Sequence, residues 1–537
     1  MKLITVVPIT NTPIPETLSY YGKQDIDPGS VIDIPVGKKT MLALVIKSEP
    51  LHNAKATLKK AEFAMKKLGE TPCRIKLDST PLLEMLSDFY VAPKHHVLHT
   101  LFPAALQELL KQDGSIPKVT NLHICPSWRH TEYLQQHMDA AVVLHTNLTK
   151  KKQADILASD IETLITTPSL AHIFVNTDVS ITLHFPESEH WYRHRAPFYD
   201  HKHFITKLAE HKKVSITEAP TPNPKGVVYH TLKKQKFPYT LVIHPDILIH
   251  IKKLIEQGEK VLVVAPRKGF AAGAVCRDCG KTALDEVTGK RFKVVEKEGA
   301  FVYETDKTTT AARHTCQFCN GTRLDMFGFG TKALEKVLKR NFSNFPITTI
   351  DQTSGKKLLQ AADDQEGGIV LGTNIAPLHL TSTPYHAVYL GLGFQLGIPS
   401  YSQVSHCIHQ LGFLSENSKS VWVPVEDKEN HLVEQFATES YGDLLKEEDE
   451  LKKQFSMPPH GCLIEVQGAV YQSAVDQITE KISQLDGVML KQRPYGQKSI
   501  LVTAEYSNQE HDAVIKVLGQ LIKILPKSQM RINPRNT

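Results

Sequence analysis

Two cysteine pairs are the residues of this 537-residue chain whose spacing points most directly to chemistry. Cys276 and Cys279 form one CxxC pair, and Cys316 and Cys319 form the other. Each pair offers two thiolates on a tight knuckle, and a tetrahedral zinc site collects its four soft ligands in this way. We therefore predict one structural zinc ion, because four cysteines leave no open position for an activated water. Reduced structural thiols without a metal are the alternative.

An apolar segment in the first half of the chain ends in acidic residues. The run from Val179 to Phe185 is typical of a buried strand, and Glu187-Ser-Glu-His follows it. Nucleotide hydrolysis uses such a carboxylate to hold magnesium, together with a glycine-rich loop whose lysine cradles the phosphates. The sequence GxxxxGK[ST] occurs nowhere in the chain, since Val275 stands where the first glycine should precede Gly280-Lys-Thr. The sequence therefore lacks the usual phosphate-binding loop.

The first 105 residues consist of short β-rich runs separated by turn signals, and these runs predict a small β-barrel or sandwich. A helical pattern at 81–92 follows, and the polar segment 106–121 is predicted to be a linker. The runs read LITVVPI, TLSYY, SVIDIPVG and TMLALVIKS.

From residue 122 apolar strands alternate with helices, which predicts parallel α/β architecture in two blocks, 122–235 and 236–425. An insertion at 274–325 interrupts the second block and carries both cysteine pairs and the predicted hairpin RFKVVEKEGAFVYETD. Residues 426–537 begin with a charged helical segment and continue as an α+β domain. The expected fold class is therefore multidomain α/β.

The composition is ordinary for a globular protein, with 41% hydrophobic and 22% charged residues. A net charge of +6 permits a polyanionic partner without requiring one. The start MKLITVVPIT has no secretory leader pattern, and no segment approaches the length of apolar sequence that crosses a membrane. We expect a cytoplasmic protein with no membrane partner.

Several segments occur in the same order as in the PriA family of replication-restart helicases, also called primosomal protein N-prime. The chain resembles this family over nearly its whole length. The resemblance is carried by YYGKQDIDPGSVIDIPVGKKTMLALVI, DFYVAPKHHVLHTLFPAAL, HICPSWRHTEYLQQHM, APRKGFAAGAVCRDCG, MFGFGTKALEKVL, TTIDQTS, IVLGTN and FSMPPHGCLIEV.

The resemblance implies a 3′-end DNA-binding domain at 1–105, two RecA-like helicase lobes that coincide with the α/β blocks, and a zinc-binding insertion. The chain also departs from the family. The family's winged-helix domain and phosphate-binding loop would lie between Leu106 and Leu122, where only the linker occurs. The hairpin region from Lys281 to Thr315 stands in place of the family's second zinc site.

Three further substitutions concern catalysis. Ser188 stands where the family has the carboxylate that orients water, and Phe413 and Glu416 stand at the family's two arginines. With the missing loop, these losses remove most of the electrostatic stabilisation that phosphoryl transfer needs. We expect a degenerate helicase fold to which ATP does not bind, although the sequence leaves enzymatic activity open.

In the family's pocket for a DNA 3′ end, this chain keeps Tyr20 and Gly37, and Lys38 and Lys39 stand beside them. We expect the tyrosine ring to stack on a terminal base, the glycine to allow close approach, and the lysines to contact phosphates. Leu18-Ser19 replaces the family's aromatic-acidic pair. The alternative is a core tyrosine, a plain turn glycine and a solvated lysine tip.

These expectations combine into one leading hypothesis. The chain is a non-catalytic DNA-binding scaffold of replication restart in the primosome, which recognises forks and 3′ ends together with other restart proteins. One alternative is an active ATP-dependent 3′–5′ DNA helicase with an atypical nucleotide site. A second alternative is a protein-interaction module that no longer binds DNA.

Overall fold

The structure is a computed structural model, and statements about it concern the residues that it describes. Beyond residue 505 these are 513–514 and 530–532. Up to residue 505 they are all residues except 13, 52–65, 77–82, 84–86, 88–89, 91, 112–115, 194–198, 221, 233–242, 286–290, 306–308, 352, 398–399, 426–430, 439, 456, 468–470, 486–487 and 495–498.

The chain forms two compact units, which are described separately. Among the described residues, no helix combines the length and apolar composition needed to cross a bilayer. The first unit contains Met1–Pro220, Asp476–Leu490 and Tyr506–Pro534, and the second contains Thr221–Val475, Lys491–Glu505 and Arg535–Thr537.

The first unit begins with a six-stranded sheet, as the β-rich N-terminal sequence predicts. Its central strands pair antiparallel, and alternate side chains such as Ile4, Ile32 and Val45 fill one buried core. Each edge of the sheet has a two-residue strand. The edge strand Lys66–Lys67 runs parallel to its neighbour, and the edge strand Ile75–Lys76 runs antiparallel. In spatial order the strands are Lys66–Lys67, Leu18–Gly22, Lys2–Pro8, Lys39–Pro50, Ser30–Val36 and Ile75–Lys76.

Two helices, Lys94–Leu101 and Ala104–Lys111, follow the N-terminal sheet. The second helix corrects the predicted linker 106–121, because its first half is helical and buries Leu106 and Leu110. Apolar residues at this helical spacing pack more favourably than they would in a solvated connector. Most of the helix predicted at 81–92 lies outside the described residues.

A five-stranded parallel sheet completes the described core of the first unit and confirms the predicted α/β alternation. Crossover helices cover its strands, as parallel pairing requires. In spatial order the strands are Ile216–Glu218, Ser180–Leu183, Asn121–Ile124, Thr163–Thr166 and Val142–Leu144. The helices are Trp128–Gln135, Lys150–Leu157, Pro168–Ala171 and His201–Lys212, and a short 3-10 helix is Glu189–Trp191.

The second unit is built on a six-stranded parallel sheet. Its edge strand Val227–Thr231 pairs with Ser420–Val425, so the block predicted to start at 236 starts earlier, before residue 227. Hydrogen bonds to a strand about 190 residues further along the chain decide this membership. In spatial order the strands are Val227–Thr231, Ser420–Val425, His386–Tyr389, Lys260–Val264, Gly368–Gly372 and Ile347–Thr349.

Helices cover both faces of this sheet, where two apolar clusters form. The charged helical segment predicted at the start of region 426–537 is confirmed by helix Tyr441–Gln454. The helices are Pro245–Glu256, Thr331–Asn341, Lys356–Asp364, Leu392–Leu396, Gln403–Asn417, His431–Thr438 and Tyr441–Gln454, with a 3-10 helix at Ala376–His379.

The predicted insertion folds as a separate five-stranded antiparallel sheet. The hairpin Lys293–Lys297 with Ala300–Glu304 is confirmed, with Val295 opposite Val302. In spatial order the strands are Thr309–Ala311, Ala300–Glu304, Lys293–Lys297, Ala271–Cys276 and Leu324–Phe329. The last two strands pair with each other and return the chain to the start of helix Thr331–Asn341.

The C-terminal segment has the α+β content that the sequence predicts. Strands Cys462–Gln467 and Ser499–Glu505 pair antiparallel, and helix Tyr471–Ile482 lies between them in the chain. Two further strands are Met489–Pro494 and Met530–Ile532.

Candidate metal centre and nucleic-acid interface

The four predicted zinc ligands converge. The sulfur atoms of Cys276, Cys279, Cys316 and Cys319 all lie within 4.8 Å of one another. The Cys276–Cys319 and Cys279–Cys316 sulfur pairs are each separated by 3.6 Å, too far for disulfides and close to the roughly 3.8 Å edge of a tetrahedron with Zn–S bonds of about 2.3 Å. The donor set therefore fits one tetrahedral zinc ion.

Backbone hydrogen bonds shape each pair into a knuckle. The N–H of Gly280 donates to the carbonyl of Cys276 at 2.8 Å, and that of Asn320 donates to Cys316 at 3.0 Å. The N–H groups of Asp278 and Phe318 point at the first sulfur of their own knuckle, each at 3.4 Å. For Cys316 the donor from Phe318 favours the thiolate form, because a hydrogen bond to a charged group stabilises it.

Side chains brace the two knuckles against each other. Arg323 Nε donates to the carboxylate of Asp278 at 2.6 Å, and Arg277 pairs with Asp325. A side chain at Gly321 would place its Cβ 2.1 Å from Asp278 Oδ2, so only glycine permits this approach. The Asp278 carboxylate that Arg323 holds also lies 3.8 Å from the sulfur of Cys276, so the bracing reaches the cysteine cluster.

The clustered thiols shift the pKa values of Cys316 and Cys319 in opposite directions. Burial opposes ionisation of Cys316, but hydrogen bonds from the N–H groups of Phe318 and Cys319 and from neighbouring thiols lower its pKa to about 7. The N–H of Gly321 lowers the pKa of Cys319, yet the interactions with the other thiols raise it to about 12. A divalent cation in the cluster would favour the thiolate form of Cys319, because metal binding to a cysteine displaces its proton.

The structure corrects the role expected for Tyr20. Its side chain is 4% exposed, lies in the core of the N-terminal sheet, and donates a hydrogen bond from its hydroxyl to the carbonyl of Pro35 at 2.9 Å. Burial also raises its pKa. A ring enclosed by core residues offers no face for a base, so the alternative of a core tyrosine holds.

Gly37 and Lys38 form an exposed turn between two strands of the same sheet, and the exposed Lys39 begins the second of these strands. Gly37 has φ +62°, and a Cβ added there would meet nothing within 4 Å. The positive φ makes glycine favourable at this turn, and the open space around it leaves the predicted close approach of DNA as a prediction. The two lysines are solvated and form no ion pair with any described residue, so they remain available to phosphates.

Two lysines that the sequence reasoning missed lie at the edge of this sheet. Lys66 and Lys67 are exposed and pair with Tyr20 and Tyr21 through the backbone. The adjacent cavity has a volume of about 720 Å³. Its lining residues are Lys23, Gln24, Lys67, Leu68, Gly69, Glu70, Thr71 and Pro72. The dipeptide Lys66-Lys67 is visible in the sequence, but nothing there links it to the tyrosine strand.

The acidic segment after strand Ser180–Leu183 is a tightly packed turn. Ser188 is 6% exposed, and its hydroxyl accepts the N–H of His190 at 3.3 Å. The indole of Trp191 donates to the carbonyl of Phe185 at 2.8 Å. A buried serine that caps a short helix has a structural role, and it supplies no carboxylate to orient water.

Helix Gln403–Asn417 carries the residues that stand at the two arginine positions. Phe413 is 8% exposed, and Glu416 is exposed. The carboxylate of Glu448 fixes the start of this helix by accepting the N–H groups of Val404 and Ser405. At the two arginine positions this helix therefore has a buried apolar side chain and an exposed carboxylate.

Comparisons with known proteins identify relatives in sequence. The chain is 20% identical to the replication restart protein PriA of Helicobacter pylori over an alignment of 571 positions. The match covers 89% of this chain and 88% of the relative. It is 29% identical over 135 residues to PriA of Haemophilus influenzae, which covers 24% of this chain and 18% of that relative. No family model matches the chain.

Among solved structures, the helicase Lhr of Mycobacterium smegmatis bound to ssDNA and AMP-PNP matches 78% of this chain and 56% of its own, with 10% identity and a TM-score of 0.33. The DUF1998 helicase MrfA bound to DNA matches 92% of this chain and 62% of its own, with 11% identity and a TM-score of 0.32. The described sheets, and not these matches, establish the multidomain α/β fold.

Metal content tests the sulfur cluster. Purified protein should contain about one zinc ion per chain, and the double substitution Cys276→Ser with Cys316→Ser should reduce this to none. Elemental analysis measures it. Cys73→Ser is the control, because this exposed cysteine lies outside the cluster and its replacement should leave the zinc content unchanged. Equal metal content in the wild type and the double variant would disprove the centre.

The free energy of unfolding tests whether Tyr20 is a core residue. Tyr20→Ala should lower the free energy of unfolding by about 3–5 kcal/mol, as aromatic truncations in a core do. Tyr20→Phe should cost about 0.5–1.5 kcal/mol through loss of the Pro35 hydrogen bond. Denaturant titration of the full chain gives both values. The partly buried neighbour Tyr21→Ala should cost less than Tyr20→Ala, and an undiminished stability for Tyr20→Ala would show that the ring is not a core residue.

Proposed function

We propose that this chain is a PriA-like DNA-binding protein of replication restart, which recognises forked or ended DNA as a scaffold and does not hydrolyse ATP. The observation that carries the proposal is the combination of similarity to PriA along 89% of the chain with the lack of a phosphate-binding loop in the sequence. Similarity of that extent supports shared DNA processing, whereas phosphoryl transfer needs groups that the sequence lacks.

Under this proposal the domains keep the sequence-based assignment, except that the first part of the predicted linker 106–121 is helical and the second helicase-like lobe starts before residue 227. The zinc centre is structural, because four sulfurs fill the tetrahedron and no position remains for a water or a substrate. Its role is to hold the two cysteine knuckles of the insertion together. Partner proteins of replication restart and a cytoplasmic location belong to the same proposal.

DNA binding through the N-terminal sheet relies on charge more than on stacking. The lysines at 38, 39, 66 and 67 are exposed at the edge and at one turn of this sheet and can contact phosphates. With Tyr20 buried, the chain lacks the stacking energy, about 1–3 kcal/mol per base, that a ring would add for a terminal nucleotide. Affinity should therefore depend strongly on salt and only weakly on a free 3′ end.

Tyr20 burial also favours the alternative of a protein-interaction module, since that interpretation needs no end-binding pocket. The two interpretations differ in the DNA affinity that they predict. A scaffold of forked DNA binds the fork itself, whereas an interaction module reaches the fork only through a partner.

The test is the affinity of the full chain for forked DNA at several salt concentrations, measured by fluorescence anisotropy. Replacing Lys38 and Lys39 by alanine should weaken binding and lower the slope of log affinity against log salt by about 0.9 for each phosphate that is no longer neutralised. The control replaces Lys252 and Lys253, two exposed helix lysines of the other compact unit. Their replacement should leave the slope unchanged.

A fork with a blocked 3′ end should bind almost as well as one with a free end. If the wild type shows no measurable affinity for any fork, the DNA-binding proposal fails and the interaction module replaces it. Strict dependence on a free 3′ end would instead contradict the weak end recognition derived from the burial of Tyr20.

A further inference from the structure

The chain first passes from one compact unit to the other through a proline-rich segment. The first unit reaches Pro220, the second begins at Thr221, and the surrounding sequence 219–226 is APTPNPKG. Each proline ring fixes φ at about −65°, and proline-rich segments are stiff. Such a segment has little conformational freedom to lose when it binds to a surface, so few contacts suffice to hold it.

Residues 222–226, which we call the strap, lie against helix Gln403–Asn417 at a glycine. A Cβ on Gly412 would overlap the carbonyl oxygen of Pro222 and would lie 2.7 Å from its carbonyl carbon. Cβ atoms do not approach backbone atoms this closely, so a side chain at this position would displace the strap. The backbone of the strap therefore occupies the space beside the helix that the glycine leaves open.

A hydrogen bond holds the strap near its other end, about one helical turn further along. The N–H of Lys225 donates to the hydroxyl oxygen of Ser415 at 3.3 Å, and that hydroxyl donates to the carbonyl of Gly412 at 2.8 Å. Residues three apart on a helix share a face, so Gly412 and Ser415 form one docking surface. Pro224 lies between the two contacts in the chain and is buried. The strap is thus attached at two points, with a buried proline ring between them.

The elements that position the strap all belong to the second unit. Gly226 has φ +65°, a left-handed conformation that glycine adopts readily, and the chain continues from there into strand Val227–Thr231. That strand pairs with Ser420–Val425, which follows helix Gln403–Asn417 in the chain. The helix therefore fixes the start of the strap, and the strand pair fixes its end.

The strap determines how much chain connects the two units at this crossing. On the side of the first unit, the N–H of Ala219 donates to the carbonyl of Leu183 at 2.8 Å. With Pro222 held on the helix, two residues separate the two attachments. Without the strap contacts the next attachment is Val227, and seven residues separate it from Ala219. At roughly 3.6 Å per residue, the maximum reach of the connection rises from about 11 Å to about 29 Å.

We propose that the strap is a latch that sets the length of this connection. Docked on Gly412 and Ser415 it keeps the connection short, and its release makes the connection longer. A segment held by one hydrogen bond and one buried ring opens locally with a small free energy, because few contacts are lost. Glu416 stands one turn from Gly412, at one of the two arginine positions. The latch therefore links the connection to the helix that carries these positions, and it would act in the same way in a scaffold and in an interaction module.

The experiment measures amide hydrogen exchange in the full chain by mass spectrometry of overlapping peptides. Gly412→Ala displaces the strap through its Cβ, and Ser415→Ala removes the acceptor of the Lys225 N–H. Both should accelerate exchange at Lys225 by roughly fivefold or more, the factor that corresponds to one ordinary hydrogen bond, while strand Val227–Thr231 keeps its protection. Gly442→Ala is the control, because the nearest neighbour of a Cβ on this helix glycine is 4.0 Å away, and it should leave Lys225 unchanged.

Cleavage by trypsin after Lys225 gives a second readout, because proteases cut chain segments that have opened locally. Gly412→Ala and Ser415→Ala should be cut there about fivefold faster than the wild type and Gly442→Ala. If circular dichroism shows that Gly412→Ala does not fold, Ser415→Ala decides, since it introduces no steric overlap. The latch is disproved if Lys225 of the wild type exchanges as fast as in an unstructured peptide. It is also disproved if the folded variants match Gly442→Ala in both exchange and cleavage.

Discussion

The antiparallel pairing of strand Ala271–Cys276 with strand Leu324–Phe329 is the contact on which the candidate sites of the second unit depend. It joins both ends of the insertion, so the chain leaves and re-enters the parallel sheet at one place. The register sets Cys276 opposite Leu324. The second cysteine knuckle ends at Gly321, three residues before Leu324. The same register sets Gly273 opposite Phe327, where Arg291 lies across the gap. The candidate metal centre and the contact of Arg291 with Phe327 thus depend on the same pair of strands.

The sequence predicted those parts of the fold that follow from local pattern. In strand Lys260–Val264 the four residues after Lys260 are valine or leucine, as is typical of a strand buried on both faces, and the structure buries all five residues. The hairpin around Glu298-Gly299 and the convergence of the four cysteines were also predicted, because turn signals and CxxC knuckles act over a few residues.

Long-range contacts account for the differences between the sequence-based predictions and the structure. Strand Leu18–Gly22 contains two adjacent tyrosines, and the pleat sends one of them to each face, but only the pairing with Lys2–Pro8 decides that Tyr20 faces the core. Strand Val227–Thr231 joins the second sheet through a partner far along the chain. The position of Arg291 over the ring of Phe327 depends on how the inserted sheet folds back, and no local pattern in the sequence encodes that.

We propose that this chain, although similar to the replication restart protein PriA, does not hydrolyse ATP. The rate of ATP hydrolysis with and without forked DNA tests it most directly. The account predicts a background rate that DNA does not stimulate, because the sequence has no phosphate-binding loop and Ser188, Phe413 and Glu416 offer no suitable charge. A residual rate that Glu189→Ala leaves unchanged would come from a contaminating enzyme. A rate that DNA stimulates and that Glu189→Ala abolishes would contradict the account.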